Sequence, residues 1–195
     1  MFGLIKELMP INRSLTGKGN RETLKILKRI NPNLKKYEIK SGKKVFDWKV
    51  PMEWNVKTAF LKNYSKNKIV ADFKHNNLHL MGYSRSIMKL LTFQTLKKKL
   101  NYLENFPEAI PYTTSYYAKD WGFNISYNEF KKLNRADKYL VNIKTEFKKG
   151  SMSYGEILVR GKSKKEIVFS TYICHPSMAN NELSGPVLSV YLSKW

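Results

Sequence analysis

The sequence is short of cysteine, of acidic residues and of long apolar runs, and each shortage excludes a class of protein. Its 195 residues include one cysteine, Cys174, so neither an internal disulfide nor a cysteine-rich zinc module can form. No apolar run approaches the ~20 residues of a membrane-spanning helix. The first nine residues are interrupted by Lys6 and Glu7 and have no small-residue cleavage site, so no signal peptide is predicted. We therefore expect a soluble, cytoplasmic protein without a membrane partner.

The scarcity of acidic residues leaves a large positive charge. Lys and Arg number 36 against 15 Asp and Glu, which gives a formal net charge of +21. Such an excess is compatible with binding to nucleic acid. However, 30 of the cations are Lys and only 6 are Arg. Bidentate hydrogen bonds to phosphates and bases favour Arg. A basic nucleic-acid-binding protein therefore remains an alternative hypothesis, and nucleic acid is not the favoured partner.

The hydrophobic pattern predicts an α/β fold. Between Tyr37 and Leu80 apolar and polar residues alternate, which predicts short strands. In the last third, Glu166–Ile173 begins as a near-continuous apolar run that is typical of a strand buried on both faces. A polar loop at 177–182 then leads to Ser184, which we expect to cap a helix. In such folds the loop at the carboxyl edge of the sheet holds the functional site.

The candidate chemistry lies at the end of this predicted strand. His175 occupies a position suited to a metal ligand or an acid-base group. The following loop offers oxygen donors in Asn180, Asn181 and Glu182, and a His with a carboxylate is ordinary zinc coordination. Cys174 should point to the opposite face of the strand and pack as a small buried hydrophobe. The alternative for His175 is a structural histidine that is hydrogen-bonded at a strand end.

Three residues of the middle third are candidates for a substrate cleft. We interpret His79, between two leucines in a short predicted strand, as a substrate-side residue. Tyr116 and Tyr117 belong to an aromatic stretch that would line the cleft if this part of the chain covers it. The alternative for such a stretch is a place in the core. His75 and His79 do not form a metal pair, because residues four apart on a strand are separated by about 13 Å.

Several segments resemble one known family. The residues from Ser170 to Pro186 resemble the signature of bacterial aminopeptidase-like proteins of unknown function, which are relatives of the two-zinc aminopeptidases. Upstream segments resemble the same family in the same order, namely Pro10–Gly17, Phe46–Pro51, Ala109–Tyr117 and Trp121–Phe123. The resemblance therefore covers nearly the whole chain, and several independent motifs in register make it specific.

The resemblance implies an incomplete α/β/α sandwich of the zinc-aminopeptidase type with an inserted, smaller strand-rich domain. The implied parts are an N-terminal helical part of the peptidase-like domain at 1–36, the insert at 37–136, and the first strands and helix of the peptidase-like sheet at 137–195. Carried over residue by residue, His175 corresponds to the first zinc ligand. The position of the Asp that bridges the two metals falls on Asn181, or on Glu182 if the loop is shifted by one.

The remaining family ligands, the Glu general base and the final His would lie beyond Trp195. The resemblance therefore implies a truncated, inactive copy of an aminopeptidase-like metallohydrolase domain, with no catalytic residue inside this chain. Intact relatives would use zinc to act on a peptide-like or amide small molecule. The alternative is a non-catalytic accessory or binding protein with a peptidase-like fold, linked to surface-polysaccharide biosynthesis. A chain that lacks half of its sheet is also expected to form oligomers or to require the missing C-terminal half.

Overall fold

The computed structural model describes all residues from Met1 to Trp195, and these fall into two compact units. Unit 1 comprises Met1–Trp54 and Phe147–Trp195, and unit 2 comprises Asn55–Glu146. These bounds differ from the expected insert at 37–136, because a strand at Lys35–Lys40 pairs with one at Ser151–Glu156 and so belongs to unit 1. None of the helices is long and apolar enough to cross a bilayer.

Five α-helices and ten strands make up the two units. The helices are α1 (Phe2–Leu8), α2 (Lys18–Ile30), α3 (Phe93–Lys97), α4 (Tyr127–Lys131) and α5 (Ser184–Leu192). The strands are β1 (Lys35–Lys40), β2 (Lys44–Val45), β3 (Trp48–Lys49), β4 (Glu53–Asn63), β5 (Lys68–Asp72), β6 (Ile87–Thr92), β7 (Leu100–Asn101), β8 (Phe123–Asn124), β9 (Lys138–Lys148) and β10 (Ser151–Glu156). A 3-10 turn spans Asn77–His79, and a π-helical turn at Ala179–Leu183 leads directly into α5.

The core of unit 1 forms where α1, α2 and α5 pack together. Its buried members are Leu4, Leu8, Ile11, Leu24, Leu27, Leu34, Leu183, Val187 and Val190. Burying each of the larger aliphatic side chains contributes about 1.5–3 kcal/mol. Because α1, α2 and α5 share this core, the N-terminal third of the chain fixes the position of the turn that precedes α5.

The loop before α2 is held by the side chain of Asn20. Helix α2 begins at Lys18, and Gly17 precedes it with a φ of 139°, a conformation that favours glycine. Asn20 therefore lies inside the helix, where it is buried, and its Oδ1 accepts a hydrogen bond from the Ser14 N–H at 3.2 Å. The contact folds the loop back onto the first turn of α2.

Unit 2 is built on a four-stranded sheet with the strand order β5-β4-β9-β6. Strands β4 and β5 pair antiparallel, as do β6 and β9. Tyr139 of β9 is fully buried beside Phe93 of α3, and its hydroxyl donates to the Asn134 carbonyl at 3.0 Å. A short parallel pair, β7 with β8, completes the unit. The alternation thus correctly predicts β4 and β5, whereas His79, expected in a short strand, ends the 3-10 turn.

The expected central strand at Glu166–Ile173 is wrong for this chain. The segment belongs to no sheet, and Ile167, Val168 and Phe169 are 85%, 80% and 73% exposed. A strand requires neighbours that satisfy its backbone N–H and C=O groups, and no strand of the 195 residues pairs with this segment. The helix expected after it is present as α5, but Ser184 is its first residue and not its cap.

Candidate functional site

The candidate site of unit 1 is the turn that joins the 166–173 segment to α5. Ser177 and Met178 both have positive φ, at 55° and 47°. Such a conformation costs a residue other than glycine about 1–2 kcal/mol, and it persists where surrounding contacts impose it. The two left-handed residues reverse the chain, so that Glu182 in the π-helical turn comes back to His175.

His175 and Glu182 make a two-point contact. Glu182 is 0% exposed. Its Oε1 accepts a hydrogen bond from the backbone N–H of His175 at 2.9 Å, and its Oε2 lies 3.0 Å from the imidazole Nδ1. The ring of Tyr172 meets the imidazole edge-on, with 5.8 Å between the ring centroids. The carboxylate thus holds both the backbone and the ring of His175, while 20% of the imidazole side chain remains exposed.

Arg13 anchors the turn from the N-terminal loop, a role that no sequence pattern predicts. Its guanidinium is fully buried and donates three hydrogen bonds to backbone carbonyls. The bonds run from Nη1 to Leu8 at 2.7 Å, from Nε to His175 at 2.9 Å and from Nη2 to Ser177 at 3.3 Å. Burial lowers the pKa of Arg13 to about 10, against the negative charge of Glu182, so the group stays charged at neutral pH.

The electrostatics of the site follow from burial. Burial raises the pKa of Glu182 above its usual range, and the hydrogen bonds from His175 and the charge of Arg13 oppose that rise. Burial, together with the nearby charge of Glu182, also raises the pKa of the Cys174 thiol to about 11. The thiol is therefore protonated at neutral pH, and Cys174 is not a nucleophile.

The expectation that Cys174 points away from His175 is wrong. Its Sγ lies 3.6 Å from the His175 Nδ1, and the side chain is only half-buried. The expectation depended on the alternation of side chains along a regular strand. Residues 175–177 form a bend instead, which brings the two neighbouring side chains together.

The donor atoms of Cys174, His175 and Glu182 all lie within 4.8 Å of one another. Thiolate, imidazole and carboxylate are the donor types of zinc sites, so the residues fit this ion in kind. The fit differs among them, because both oxygens of Glu182 already accept hydrogen bonds from His175. His175 is the residue best suited to bind the ion.

The third candidate ligand, Asn181, is placed differently from Glu182. Its side chain is exposed, and its Oδ1 accepts a hydrogen bond from the Tyr172 hydroxyl at 3.3 Å. The structure therefore brings Glu182, and not the amide of Asn181, into contact with His175. Which of the two residues takes the bridging position remains a prediction.

The cleft candidates His79, Tyr116 and Tyr117 all belong to unit 2. The Nδ1 of His79 lies 2.8 Å from the Asn124 carbonyl, so this nitrogen carries the proton, and burial lowers the pKa of the imidazole. Tyr116 and Tyr117 are exposed, with the backbone of Tyr116 in the left-handed region at a φ of 43°. Their role at a substrate cleft remains a prediction.

Comparison with known proteins shows that this mixed α/β chain is similar in structure to a solved protein and belongs to a defined family. It superimposes with a TM-score of 0.91, at 46% sequence identity, on the crystal structure of a "putative peptidase" from Clostridium acetobutylicum. Residues 2–195 match the family described as "Domain of unknown function (DUF4910)", and the chain belongs to that family.

A relative from Clostridium acetobutylicum carries a more specific name. The "Putative polysaccharide biosynthesis protein with aminopeptidase-like domain" is 46% identical over 194 residues. The match covers all of this chain and 44% of the relative's length. The match to the crystal structure covers 46% of the crystallised chain. The resemblance to aminopeptidase-like proteins is confirmed, and the chain spans less than half the length of these relatives.

Proposed function

We propose that the chain forms the amino-terminal part of an aminopeptidase-like metallohydrolase domain with the α/β/α architecture of the zinc aminopeptidases. The observation that carries this proposal is the His175–Glu182 contact, in which a buried carboxylate fixes an imidazole at the turn before α5. The substrate class is a peptide-like or other amide small molecule. The relatives' names, which contain "aminopeptidase-like" and "peptidase", support the same class.

Zinc is the ion that the donor set favours, and His175 is the residue that would hold it. Zinc in such a site polarises a carbonyl and makes a bound water more acidic. Within this chain, Glu182 orients the imidazole and Arg13 fixes the turn. We assign no general base to these 195 residues. The other ligands and the base would come from the part of the relatives that this chain does not match.

Zinc titration of the purified chain tests the proposal. We expect one weak zinc site per chain, read out by competition with a chromophoric chelator, because an incomplete donor set leaves several positions to water. His175→Ala should weaken binding by about tenfold or more, since it removes the main donor. His75→Ala is the matched control, because His75 is exposed in unit 2, and it should change nothing. Equal zinc affinity in His175→Ala and the wild type would refute the assignment.

A second candidate function is supported by Asn181. If the loop is not shifted, the position of the bridging Asp is taken by Asn181, a neutral amide that is exposed and hydrogen-bonded by Tyr172. Neutral amides are poor ligands for a pair of zinc ions. This favours a non-catalytic accessory role in polysaccharide biosynthesis, the process named for the relative. Intact folding without any zinc site in the titration above would favour this second candidate.

A further inference from the structure

We propose that Glu182 is a positioning residue for His175 and not a metal ligand, and that it holds the imidazole as the Nδ1–H tautomer with the lone pair on Nε2. That Nε2 binds zinc rests on the proposed function. The tautomer itself follows from the contacts around Glu182.

The tautomer is determined by what each atom can donate. A backbone N–H can only donate, so the Glu182 Oε1 that faces the His175 N–H at 2.9 Å is an acceptor. The second oxygen of an ionised carboxylate can also only accept, and it lies 3.0 Å from Nδ1. The proton of the imidazole is therefore on Nδ1. Because a neutral imidazole has one such proton, the lone pair is on Nε2.

The surroundings of Glu182 support the ionised form and the positioning role. The buried guanidinium of Arg13, which donates to the carbonyls of His175 and Ser177 on the same turn, supplies a positive charge that opposes the rise that burial gives the pKa of Glu182. The carboxylate is 0% exposed, and both of its oxygens already accept hydrogen bonds from one residue. A carboxylate that accepts from one nitrogen of an imidazole, while the other nitrogen meets a metal, is the usual arrangement around metal-binding histidines.

Glu182→Gln provides a sharp test, because it should invert the tautomer without removing a hydrogen bond. The backbone N–H of His175 requires an acceptor, so the amide oxygen of Gln must take the place of Oε1. The amide NH₂ then takes the place of Oε2 and donates to Nδ1. That nitrogen must accept, so the proton moves to Nε2, and the lone pair that would bind a metal is lost.

The measurement is a long-range ¹⁵N–¹H spectrum of chains labelled in histidine, recorded without metal. The His175 signals are identified by their loss in His175→Ala. We expect the Nδ1–H pattern in the wild type and the Nε2–H pattern in Glu182→Gln. Cys174→Ser should retain the wild-type pattern, because the Sγ contact at 3.6 Å is weak. Zinc affinity should fall about 10- to 100-fold in Glu182→Gln.

The spectrum separates failure of this inference from failure of the proposed function. A wild-type His175 in the Nε2–H form, or an Nδ1–H form that survives Glu182→Gln, would overturn the positioning role. Inversion of the tautomer in a chain that binds no zinc would support the positioning role and contradict the metallohydrolase proposal. The wild-type spectrum decides the tautomer even if the Gln variant does not fold.

Discussion

Arg13→Met will lower the free energy of unfolding of the chain by about 3–5 kcal/mol, because it removes a buried donor of three hydrogen bonds and leaves a buried carboxylate without a compensating charge. The substitution leaves the carbonyls of Leu8, His175 and Ser177 without their donor. It also leaves the buried Glu182 carboxylate without its compensating charge. Met retains much of the volume of the Arg side chain, so the loss reports on polar contacts and not on a cavity. Urea denaturation measures the effect.

Arg29→Met is the matched control. Arg29 pairs with Glu7, and both side chains are largely exposed. Exposed ion pairs contribute about 0–1 kcal/mol, so this variant should unfold close to the wild-type urea concentration. If the two variants lose similarly small amounts of unfolding free energy, the turn is stable without Arg13. Arg13 would then not be its anchor.

We expect the chain to associate with copies of itself, and Val168→Lys combined with Phe169→Glu to yield a monomer of 22.9 kDa. Three consecutive apolar side chains, Ile167, Val168 and Phe169, are at least 73% exposed on a segment without a sheet partner. Unpaired backbone and contiguous apolar surface together promote association between copies. The double variant replaces two of the three apolar side chains, Val168 and Phe169, with charges of opposite sign. The net charge therefore stays at its wild-type value.

Analytical ultracentrifugation over a range of protein concentrations measures this effect. We expect concentration-dependent association of the wild type and none of the double variant, with stabilities that agree within about 0.5 kcal/mol because the replaced side chains are exposed. Phe106→Ser, at a residue that is 65% exposed elsewhere in the chain, should associate like the wild type. A monomeric wild type at all concentrations would contradict the prediction.

The local features of the site could be predicted from the sequence because they depend on nearby residues. A six-residue polar loop between an apolar run and a helix had to turn back on itself, which brings Glu182 to His175. The resemblance left the bridging position at Asn181 or Glu182, and packing distinguishes the two side chains, since Asn181 is exposed and Glu182 is fully buried against His175.

The parts that could not be predicted depend on distant residues. The hydrogen bond from Arg13 to the His175 carbonyl joins positions 162 residues apart, and no local pattern indicates it. The only signal for Arg13 was its place in the Pro10–Gly17 segment that resembles the family. The apolar run at Glu166–Ile173 had the composition of a buried strand, but a strand also needs neighbours that the 195 residues do not provide.

The same ¹⁵N spectrum, recorded with one equivalent of zinc, shows whether His175 presents Nε2 to the ion while Glu182 holds Nδ1–H. We expect the His175 Nε2 signal to shift and Nδ1 to keep its proton. The signals of His75 and His79 should not move. A zinc-induced shift confined to His75 or His79, or the loss of the Nδ1 proton of His175, would contradict this assignment.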